Sequence, residues 1–429
     1  MSERNAPPKR IIISHVYSSD NKGDAALTSV LIRDLRRKFK NATITILKLD
    51  AVAPGGHFEH VPEQPSFMAH ALNRYHNPVA KLAYMIFMVS ATLLWATWYR
   101  LAEAQLYLPK HLREIAALYQ NADLIVPVGG GYIRSRKGLM HRLNIPLLLH
   151  PLLLGYLLGK PTVLYAQSVG PFQNKFERVL VAFVLNRMTL IMLREDTSVR
   201  LLASIGVTRN VTRAVDSGFL LSSHQKVALR KTYHISPTAL LVGVTVRDWL
   251  KGEAQQRYEQ AVAQALDNVI ETLHAHVVFI PQVTAAKGDD DRVVSWRVRD
   301  LMQNTRATTL ISDTPNHHRI KALYDNLDIL LGTRFHSVIF SLTSHVPVLA
   351  IEYEHKTSGI MRDLGLEDWV VKIEDVTAAQ LTALLQKLTQ EQTSYQAHLT
   401  KTMPPYIEQA QKSADLLAEN YYMATQASH

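Results

Sequence analysis

The residues best suited to chemistry are Arg334 and His336, which follow the apolar run 330–332 at the start of a predicted helix. A strand that ends at a sheet edge and leads into a helix presents free backbone N–H groups and the positive end of the helix dipole. A guanidinium and an imidazole at that point form a compact anion site with a proton donor beside it. A helix that merely begins with basic residues shows the same pattern, so other residues must decide between the two interpretations.

Most of the other unusual polar residues also stand where a predicted strand ends. Ligands bind beyond the carboxyl ends of the strands in sheets that alternate with helices. An arginine guanidinium can donate two parallel hydrogen bonds to one carboxylate or phosphate group. We therefore predict a small substrate with two or three negative charges and a histidine that donates a proton to it. Besides Arg334 and His336, the candidate residues are Asn21, Gly23, Asp24, Gly129, Gly130, Gly131, Gln167, Ser168, Arg194, Asp216, Arg247 and Thr333.

Several of these candidates have a purely structural alternative. Arg194 is followed by two acidic residues and could belong to an ion-pair network at a helix start. Asp216 could cap a turn, and Asn21 and Asp24 are typical turn and N-cap residues. Asp24 or Asp216 could also accept a hydroxyl proton, and the sequence does not choose between these roles.

The elements that must position these residues alternate regularly between buried strands and helices. This alternation predicts an α/β protein with two doubly wound, Rossmann-like domains that face each other across a cleft. We predict an N-terminal domain over 1–225, a C-terminal domain over 237–400 and a helix over 405–429 that packs back across the linker. Residues 51–78 are interpreted as a long loop and residues 222–238 as the interdomain linker.

Composition excludes several classes of function. The 429 residues carry a formal net charge of +10, which favours an anionic partner. The basic residues are scattered, and the densest clusters, 33–38 and 134–137, do not predict a nucleic-acid surface. The absence of cysteine excludes disulfides, thiolate metal sites and a cysteine nucleophile. No other metal-ligand set, Walker lysine or dinucleotide fingerprint is visible, and no signal peptide is expected.

One apolar segment, 82–98, is nearly free of charge and about as long as the shortest transmembrane helices. Lys81 and Arg100 bracket it. A single span here would divide one predicted domain, so a buried or membrane-leaning helix is the preferred interpretation.

The order of the motifs resembles that of the polysaccharide pyruvyl transferases. The resemblance runs from about residue 11 to about residue 375 and leaves 51–120 unmatched. It implies two Rossmann-like halves similar to a GT-B glycosyltransferase, and transfer of the enolpyruvyl unit of phosphoenolpyruvate to a sugar as a cyclic ketal. The matching motifs are Asn21-Lys22-Gly23-Asp24-Ala25-Ala26, Val128-Gly129-Gly130-Gly131, Gln167-Ser168-Val169-Gly170-Pro171, Leu193-Arg194-Glu195-Asp196-Thr197-Ser198, the turn at Asp216, and Gly332-Thr333-Arg334-Phe335-His336-Ser337 with Val346-Pro347-Val348.

The resemblance also implies roles for single residues. Arg334 would hold phosphoenolpyruvate and His336 would protonate its methylene carbon as a general acid. Arg194 is the candidate for a second donor-binding arginine, with Arg247 close behind. Phe335 departs mildly from the family, in which many members carry Leu or Tyr. No cofactor is implied, because phosphoenolpyruvate is itself the donor; the donor side is expected in the C-terminal domain and the acceptor side in the N-terminal one.

The partner implied besides phosphoenolpyruvate is a glycan acceptor, either free or lipid-linked. A cytoplasmic location is expected, with contact to the inner membrane face if the acceptor carries a lipid. Two other interpretations stay open from the residues alone: a GT-B glycosyltransferase that uses a nucleotide sugar, and a glycan-binding protein that keeps the fold without catalysis. The acceptor sugar and the oligomeric state are not predicted.

Overall fold

The computed structural model describes residues 7–17, 19–49, 58, 60–102, 104, 106–135, 144–223, 225–284 and 289–427. The chain divides into two compact units. The N-terminal unit comprises Met1–Ser18, Leu27–Ser217 and Gln409–His429, and the C-terminal unit comprises Ser19–Ala26 and Gly218–Glu408. The predicted domain spans 1–225 and 237–400 differ from these units chiefly because Ser19–Ala26 belongs to the C-terminal unit.

The N-terminal unit is built on parallel strands joined in the order β3-β2-β1-β4 and β5-β6-β7. A parallel bridge between Ile125 and Thr162 continues the ladder from β4 towards β5. Short β-branched and leucine-rich runs form these strands because both faces of a parallel sheet are covered. The strands are β1 (Arg10–Val16), β2 (Thr43–Lys48), β3 (Glu63–Pro65), β4 (Leu124–Pro127), β5 (Val163–Gln167), β6 (Leu190–Leu193) and β7 (Val211–Arg213).

The C-terminal unit has six parallel strands in the order β10-β9-β8-β11-β12-β13. The order reverses between β8 and β11, whose register pairs Val244 with Leu331. Such a reversal is the switch point at which doubly wound sheets bind ligands. These strands are β8 (Leu240–Thr245), β9 (Ala275–Phe279), β10 (Thr308–Leu310), β11 (Ile329–Gly332), β12 (Val348–Glu352) and β13 (Val370–Lys372).

Helices connect the strands of both sheets, as the alternation predicts. They are α1 (Lys22–Lys38), α2 (Phe67–Arg74), α3 (Pro78–Ala102), α4 (Lys110–Asn121), α5 (Asn144–Leu157), α6 (Lys175–Leu185), α7 (Asp196–Ser204), α8 (Leu229–Thr232), α9 (Glu253–Leu273), α10 (Asp291–Asp300), α11 (His317–Tyr324), α12 (Phe335–Thr343), α13 (Lys356–Asp363), α14 (Ala378–Gln390) and α15 (Gln392–Ala427).

The fold class agrees with the prediction, and two stretches need correction. The predicted loop 51–78 contains β3 and α2 among its described residues. Ser66 caps α2 by accepting a hydrogen bond from the Ala69 N–H, and Phe67 is buried. The predicted linker 222–238 lies within the C-terminal unit, where Leu229 of α8 is buried.

The last helix also begins earlier than predicted. The helix was predicted over 405–429, whereas α15 begins at Gln392 and runs through Pro404 and Pro405. Buried Tyr395, Leu399 and Met403 hold the part before the prolines against the C-terminal unit. Packing therefore overrides the helix-breaking tendency of proline here.

The apolar segment 82–98 lies within α3, which is long and apolar enough to cross a membrane by length and composition. One third of its most apolar window is buried. Tyr84, Met88, Trp95 and Ala96 belong to a core cluster of the N-terminal unit. The structure thus has α3 packed on the unit along one side.

Candidate active site

Arg334 lies at the switch point of the C-terminal sheet, as the N-cap residue of α12. Its Nε donates to both oxygens of Asp291 at 3.0 and 3.1 Å, and its Nη2 donates to Asp289 Oδ1 at 2.7 Å. Burial alone would lower the pKa of Arg334, but the negative charges of Asp291 and Asp289 raise it above the usual value. Nη1 makes no hydrogen bond to the described residues. One end of a firmly cationic guanidinium is therefore available to a ligand.

Asp291 connects Arg334 to Ser19–Ala26, the segment of the C-terminal unit that contains the start of α1. Asp291 Oδ2 accepts from the backbone N–H groups of Gln282 and Val283, each at 2.9 Å. The Gln282 carbonyl in turn accepts from the Lys22 N–H at 2.9 Å. A bridge between Asn21 and Val283 completes the attachment. The segment that follows β1 is thus fixed beside the residues that follow β9 and, through Asp291, near Arg334 at the end of β11.

This attachment brings Gly23 against His336. A Cβ built on Gly23 would lie 1.9 Å from Nδ1 of His336, so only a residue without a side chain fits there. His336 sits in the first turn of α12, half-buried, with the Phe335 ring centroid 5.2 Å away. Backbone and aromatic groups therefore restrict the orientation of the imidazole.

Arg247, which follows β8, lies in the same unit as Arg334 and is linked to it by one carboxylate. Its Nη2 is 3.5 Å from Asp289 Oδ2, while Asp289 Oδ1 accepts from Arg334. Nε of Arg247 is buried and has no hydrogen-bond partner among the described residues. Asp289 therefore occupies, between two arginines, the position that suits an anionic ligand.

Aromatic rings fix the plane of Arg247. Its guanidinium carbon lies 4.3 Å from the Tyr353 ring centroid and 4.7 Å from the Trp249 centroid. Burial works to raise the pKa of Tyr353, but the charges of Lys356, Arg247 and Arg334 lower it below the usual value. Arg334, Arg247, Lys356 and Tyr353, together with His336, make up what we call the cationic site.

The remaining candidates of this unit have supporting contacts. Thr333 is buried, and its hydroxyl pairs with Tyr258 Oη at 2.9 Å. Asn21 Oδ1 accepts from the N–H groups of Gly23 and Asp24 at 3.1 and 3.4 Å, and its Nδ2 donates to Asp24 Oδ2 at 2.8 Å. These contacts fit the alternative of turn and N-cap residues. They also hold Gly23 in place.

The N-terminal unit gathers a second group of candidates around Arg194. This arginine is buried and donates to Ser168 Oγ at 2.7 Å, to the Gly130 carbonyl and to Asp216. Its guanidinium thus ties the glycine loop after β4 to the ends of β5 and β7. These contacts, which include the ion pair with Asp216, fit the structural alternative. A role for Arg194 in holding the donor stays a prediction.

The triple glycine is a close-packed loop. Gly129 and Gly131 have φ values of 139° and 132°, in the region that favours glycine. A Cβ on Gly129 would lie 2.8 Å from the Tyr132 ring, and one on Gly131 would lie 3.1 Å from Ser168 Cβ. Gln167 is also buried and donates from Nε2 to the Pro127 carbonyl at 2.6 Å, which ties β5 to β4.

Three functional candidates were missed from the sequence: Asp289, Asp291 and Tyr353. The other candidates were identified by their position after the end of a strand, and these three residues also follow strands. Tyr353 directly follows β12, and the two aspartates belong to an acidic turn that follows the end of β9. No group of three metal-binding side chains occurs among the residues that the structure describes. Arg136 and Lys137 of the second basic cluster lie outside those residues.

A sequence model of the polysaccharide pyruvyl transferase family matches residues 21–355, which include both groups of candidates. The chain belongs to this family of transferases. Curated relatives of this chain include the amylovoran biosynthesis protein AmsJ of Erwinia amylovora, which is 27% identical over 293 residues that cover 65% of this chain and 68% of AmsJ.

Solved structures similar to this chain include a UDP-GlcNAc 2-epimerase and a sucrose-phosphate synthase. A UDP-GlcNAc 2-epimerase from Neisseria meningitidis aligns with a TM-score of 0.60 at 10% identity, over 96% of this chain and 98% of that one. Sucrose-phosphate synthase from Thermosynechococcus elongatus aligns with a TM-score of 0.55 at 11% identity, over 98% and 100%. At such identities the likeness shows the fold alone: two Rossmann-like units of the GT-B class.

Proposed function

We propose that this pyruvyl transferase moves the enolpyruvyl unit of phosphoenolpyruvate onto two hydroxyls of a sugar, forming a cyclic pyruvate ketal and releasing phosphate. The observation that carries the proposal is the cationic site. It holds two arginines and a lysine, paired with Asp289, Asp291 and Glu354, in the same unit as a histidine of restricted orientation. These cations suit a donor with one carboxylate and one phosphate.

The proposed first step is protonation of C3 of phosphoenolpyruvate by His336. The C2–C3 double bond supplies the electron pair for the new C–H bond, and an oxocarbenium-like centre forms at C2. A sugar hydroxyl attacks C2 and loses its proton to the imidazole, which restores the acid form. Arg334 and Arg247 stabilise the carboxylate and phosphate charges throughout.

The second step closes the ketal. The C2–O bond to phosphate breaks, phosphate leaves with the electron pair, and the second hydroxyl attacks C2. The proton of that hydroxyl leaves with the phosphate. One phosphoenolpyruvate and one diol thus give one ketal and one inorganic phosphate, without a redox change.

The acceptor in this proposal is a sugar of an exopolysaccharide or of its lipid-linked precursor. The distant relationship to a protein named for amylovoran biosynthesis supports this class of acceptor. The reaction would take place in the cytoplasm, where phosphoenolpyruvate is formed, and at the inner membrane face for a lipid-linked acceptor.

The test is incubation with phosphoenolpyruvate labelled in its carbon skeleton and a panel of glycans, with phosphate release and label in the glycan measured together. We expect both with equal stoichiometry, and loss of both in His336→Gln. His274→Asn is the matched control, because His274 is exposed in the same unit and asparagine tolerates its φ of 50°. Transfer that survives in His336→Gln would remove the mechanism.

A thermal-shift comparison separates this proposal from nucleotide-sugar transfer. Stabilisation by phosphoenolpyruvate, lost in Arg334→Gln, supports it. Stabilisation by a nucleoside diphosphate and not by phosphoenolpyruvate would favour the glycosyltransferase alternative.

A further inference from the structure

Exposed large apolar side chains are concentrated on one part of the N-terminal unit. Thirteen of the seventeen found among the described residues lie in segments 72–107 and 176–183. On α3 they include Val79, Leu94 and Leu101, which are 76%, 66% and 79% exposed. Single exposed apolar residues are ordinary on protein surfaces, whereas a concentration of this kind marks an interaction surface.

The helices that carry these side chains are neighbours in one layer. Tyr156 of α5 contacts both flanking helices: its carbonyl accepts from Arg100 Nη1 at 2.9 Å, and its ring centroid lies 5.4 Å from the guanidinium carbons of Arg100 and Arg187. Arg100 is on α3, and Arg187 follows α6. We call the exposed apolar side chains of α3 and α6 the α3–α6 face.

Spacing shows that each helix presents one stripe outwards. Phe176, Val179 and Phe183 of α6 are three and four positions apart, on one helix side. On α3, Tyr84, Met88 and Trp95 point into the core while Phe87, Leu94 and Trp98 are exposed. A transmembrane orientation of α3 would remove its buried side chains from this core. Contact with a membrane surface would leave those side chains buried and would also cover the exposed ones.

The segments that form this face carry mainly basic charges, and Glu177, the one acidic residue of α6, is buried. The sequence between Glu63 and Glu103 contains no Asp or Glu but includes Arg74, Lys81 and Arg100. The sequence between Asp123 and Glu177, which includes α5, also contains no acidic residue. Anionic lipid headgroups attract basic segments of this kind, and each Lys or Arg near the bilayer contributes about 1 kcal/mol.

We infer that the α3–α6 face binds the surface of an anionic phospholipid bilayer, with its apolar side chains at the level of the headgroups. The arginines that border it reach the phosphates, and Trp98 has the ring type enriched at membrane–water interfaces. The inference does not depend on the proposed reaction. It would bring the N-terminal unit to the surface where lipid-linked glycans are found.

Vesicle flotation of the full chain tests this inference. We expect the protein to float with vesicles containing phosphatidylglycerol, to bind phosphatidylcholine vesicles weakly, and to be released by high salt. Leu94→Glu/Leu101→Glu should lower binding by about tenfold or more, because it removes buried apolar area and adds repulsion. Val293→Glu/Leu301→Glu is the control, since both residues are half exposed in the C-terminal unit.

Fluorescence provides a measurement that does not depend on the folding of the charge variants. Lipids brominated on the acyl chains should quench the intact protein, and Trp98→Phe should lose most of that quenching while Trp296→Phe keeps it. Equal flotation of the wild type and Leu94→Glu/Leu101→Glu would overturn the inference. So would a concentration-dependent dimer, dissociated by that variant, in a protein that binds neither vesicle.

Discussion

Gly23 lies so close to His336 that a Cβ on the glycine would stand 1.9 Å from the imidazole Nδ1. The two residues are far apart in sequence, and both belong to the C-terminal unit. The backbone of the first helix therefore sets the position of the proposed proton donor.

Gly23→Ala should displace the imidazole and lower the rate of pyruvyl transfer by about 100-fold, since small misplacements of catalytic groups cost that much. Steady-state kinetics should show the loss mainly in kcat. Gly359→Ala is the matched control, because a Cβ added at this position in α13 would have nothing within 4 Å. Unchanged kinetics in Gly23→Ala would contradict this role for the glycine.

Asp289 competes with an anionic donor for Arg247 and Arg334. Asp289→Asn should therefore lower the KM for phosphoenolpyruvate, by about threefold to tenfold, through removal of one half-exposed negative charge. Asp300→Asn, an exposed change in the same unit, should leave KM unaltered. A raised KM in Asp289→Asn would mean that the carboxylate holds the arginines in position for the donor.

Tyr353 is expected to act through Arg247, whose guanidinium plane it supports. Tyr353→Phe keeps the ring and should change the KM for phosphoenolpyruvate little. Tyr353→Ala removes a cation–π contact worth about 0.5–2 kcal/mol and should raise that KM by about 2-fold to 30-fold, with kcat nearly constant. Equal effects of the two variants would assign the role to the hydroxyl.

Two buried histidines of the N-terminal unit make stability depend on pH. Burial lowers the pKa of both His15 and His150 from 6.5 to about 4. The unfolded chain therefore binds more protons between these values, and the free energy of unfolding falls as pH decreases from about 6.5 towards 4. At pH 5 each histidine accounts for a loss of about 2 kcal/mol.

Urea unfolding at about pH 7 and pH 5 should reveal this loss, and His150→Gln should reduce it. The Gln side chain can replace the contact between His150 Nε2 and Thr92 Oγ1, which is 2.8 Å long. His76→Gln, at an exposed position, should leave the pH dependence as in the wild type. An unreduced loss in His150→Gln would show that other groups cause it.

Variants of Arg194 can show whether this residue has a structural role or binds the donor. Arg194→Met removes the ion pair of buried Asp216 with Arg194, which should cost about 3–5 kcal/mol, and Arg194→Met/Asp216→Leu should recover part of that loss. Chemical denaturation of the single and double variants measures both effects. If Arg194 instead binds the donor, Arg194→Lys should raise the KM for phosphoenolpyruvate without loss of stability.

The sequence was sufficient to predict the fold class and most elements, because the strands are continuous apolar runs between polar loops. β6, with the fully buried sequence Leu-Ile-Met-Leu, is such a run. The three-residue strand β3 and the eight-residue helix α2 were missed, since neither is long enough to show a clear period. The predicted start of α15 at residue 405 was too late, because the preceding turns are held by the buried side chains of Tyr395, Leu399 and Met403.

For the site, Arg334 and His336 could be found from their position after a buried strand. Their partners could not, because the contacts of Arg334 with Asp291 and of His336 with Gly23 join distant parts of the chain. Such pairings depend on which strand ends become neighbours, which alternation alone does not determine. The binding of the same donor by Arg194 also stays a prediction.

The membership of Ser19–Ala26 in the C-terminal unit has a consequence for synthesis and for engineering. This segment leaves the ribosome long before Gln282 and Val283, to which it attaches, so the cationic site is completed only late in translation. A gene fragment that encodes Gly218–Glu408 alone would also lack the backbone that lies against His336. The proposed donor-binding unit is therefore not a module that recombination can move as one continuous piece of sequence.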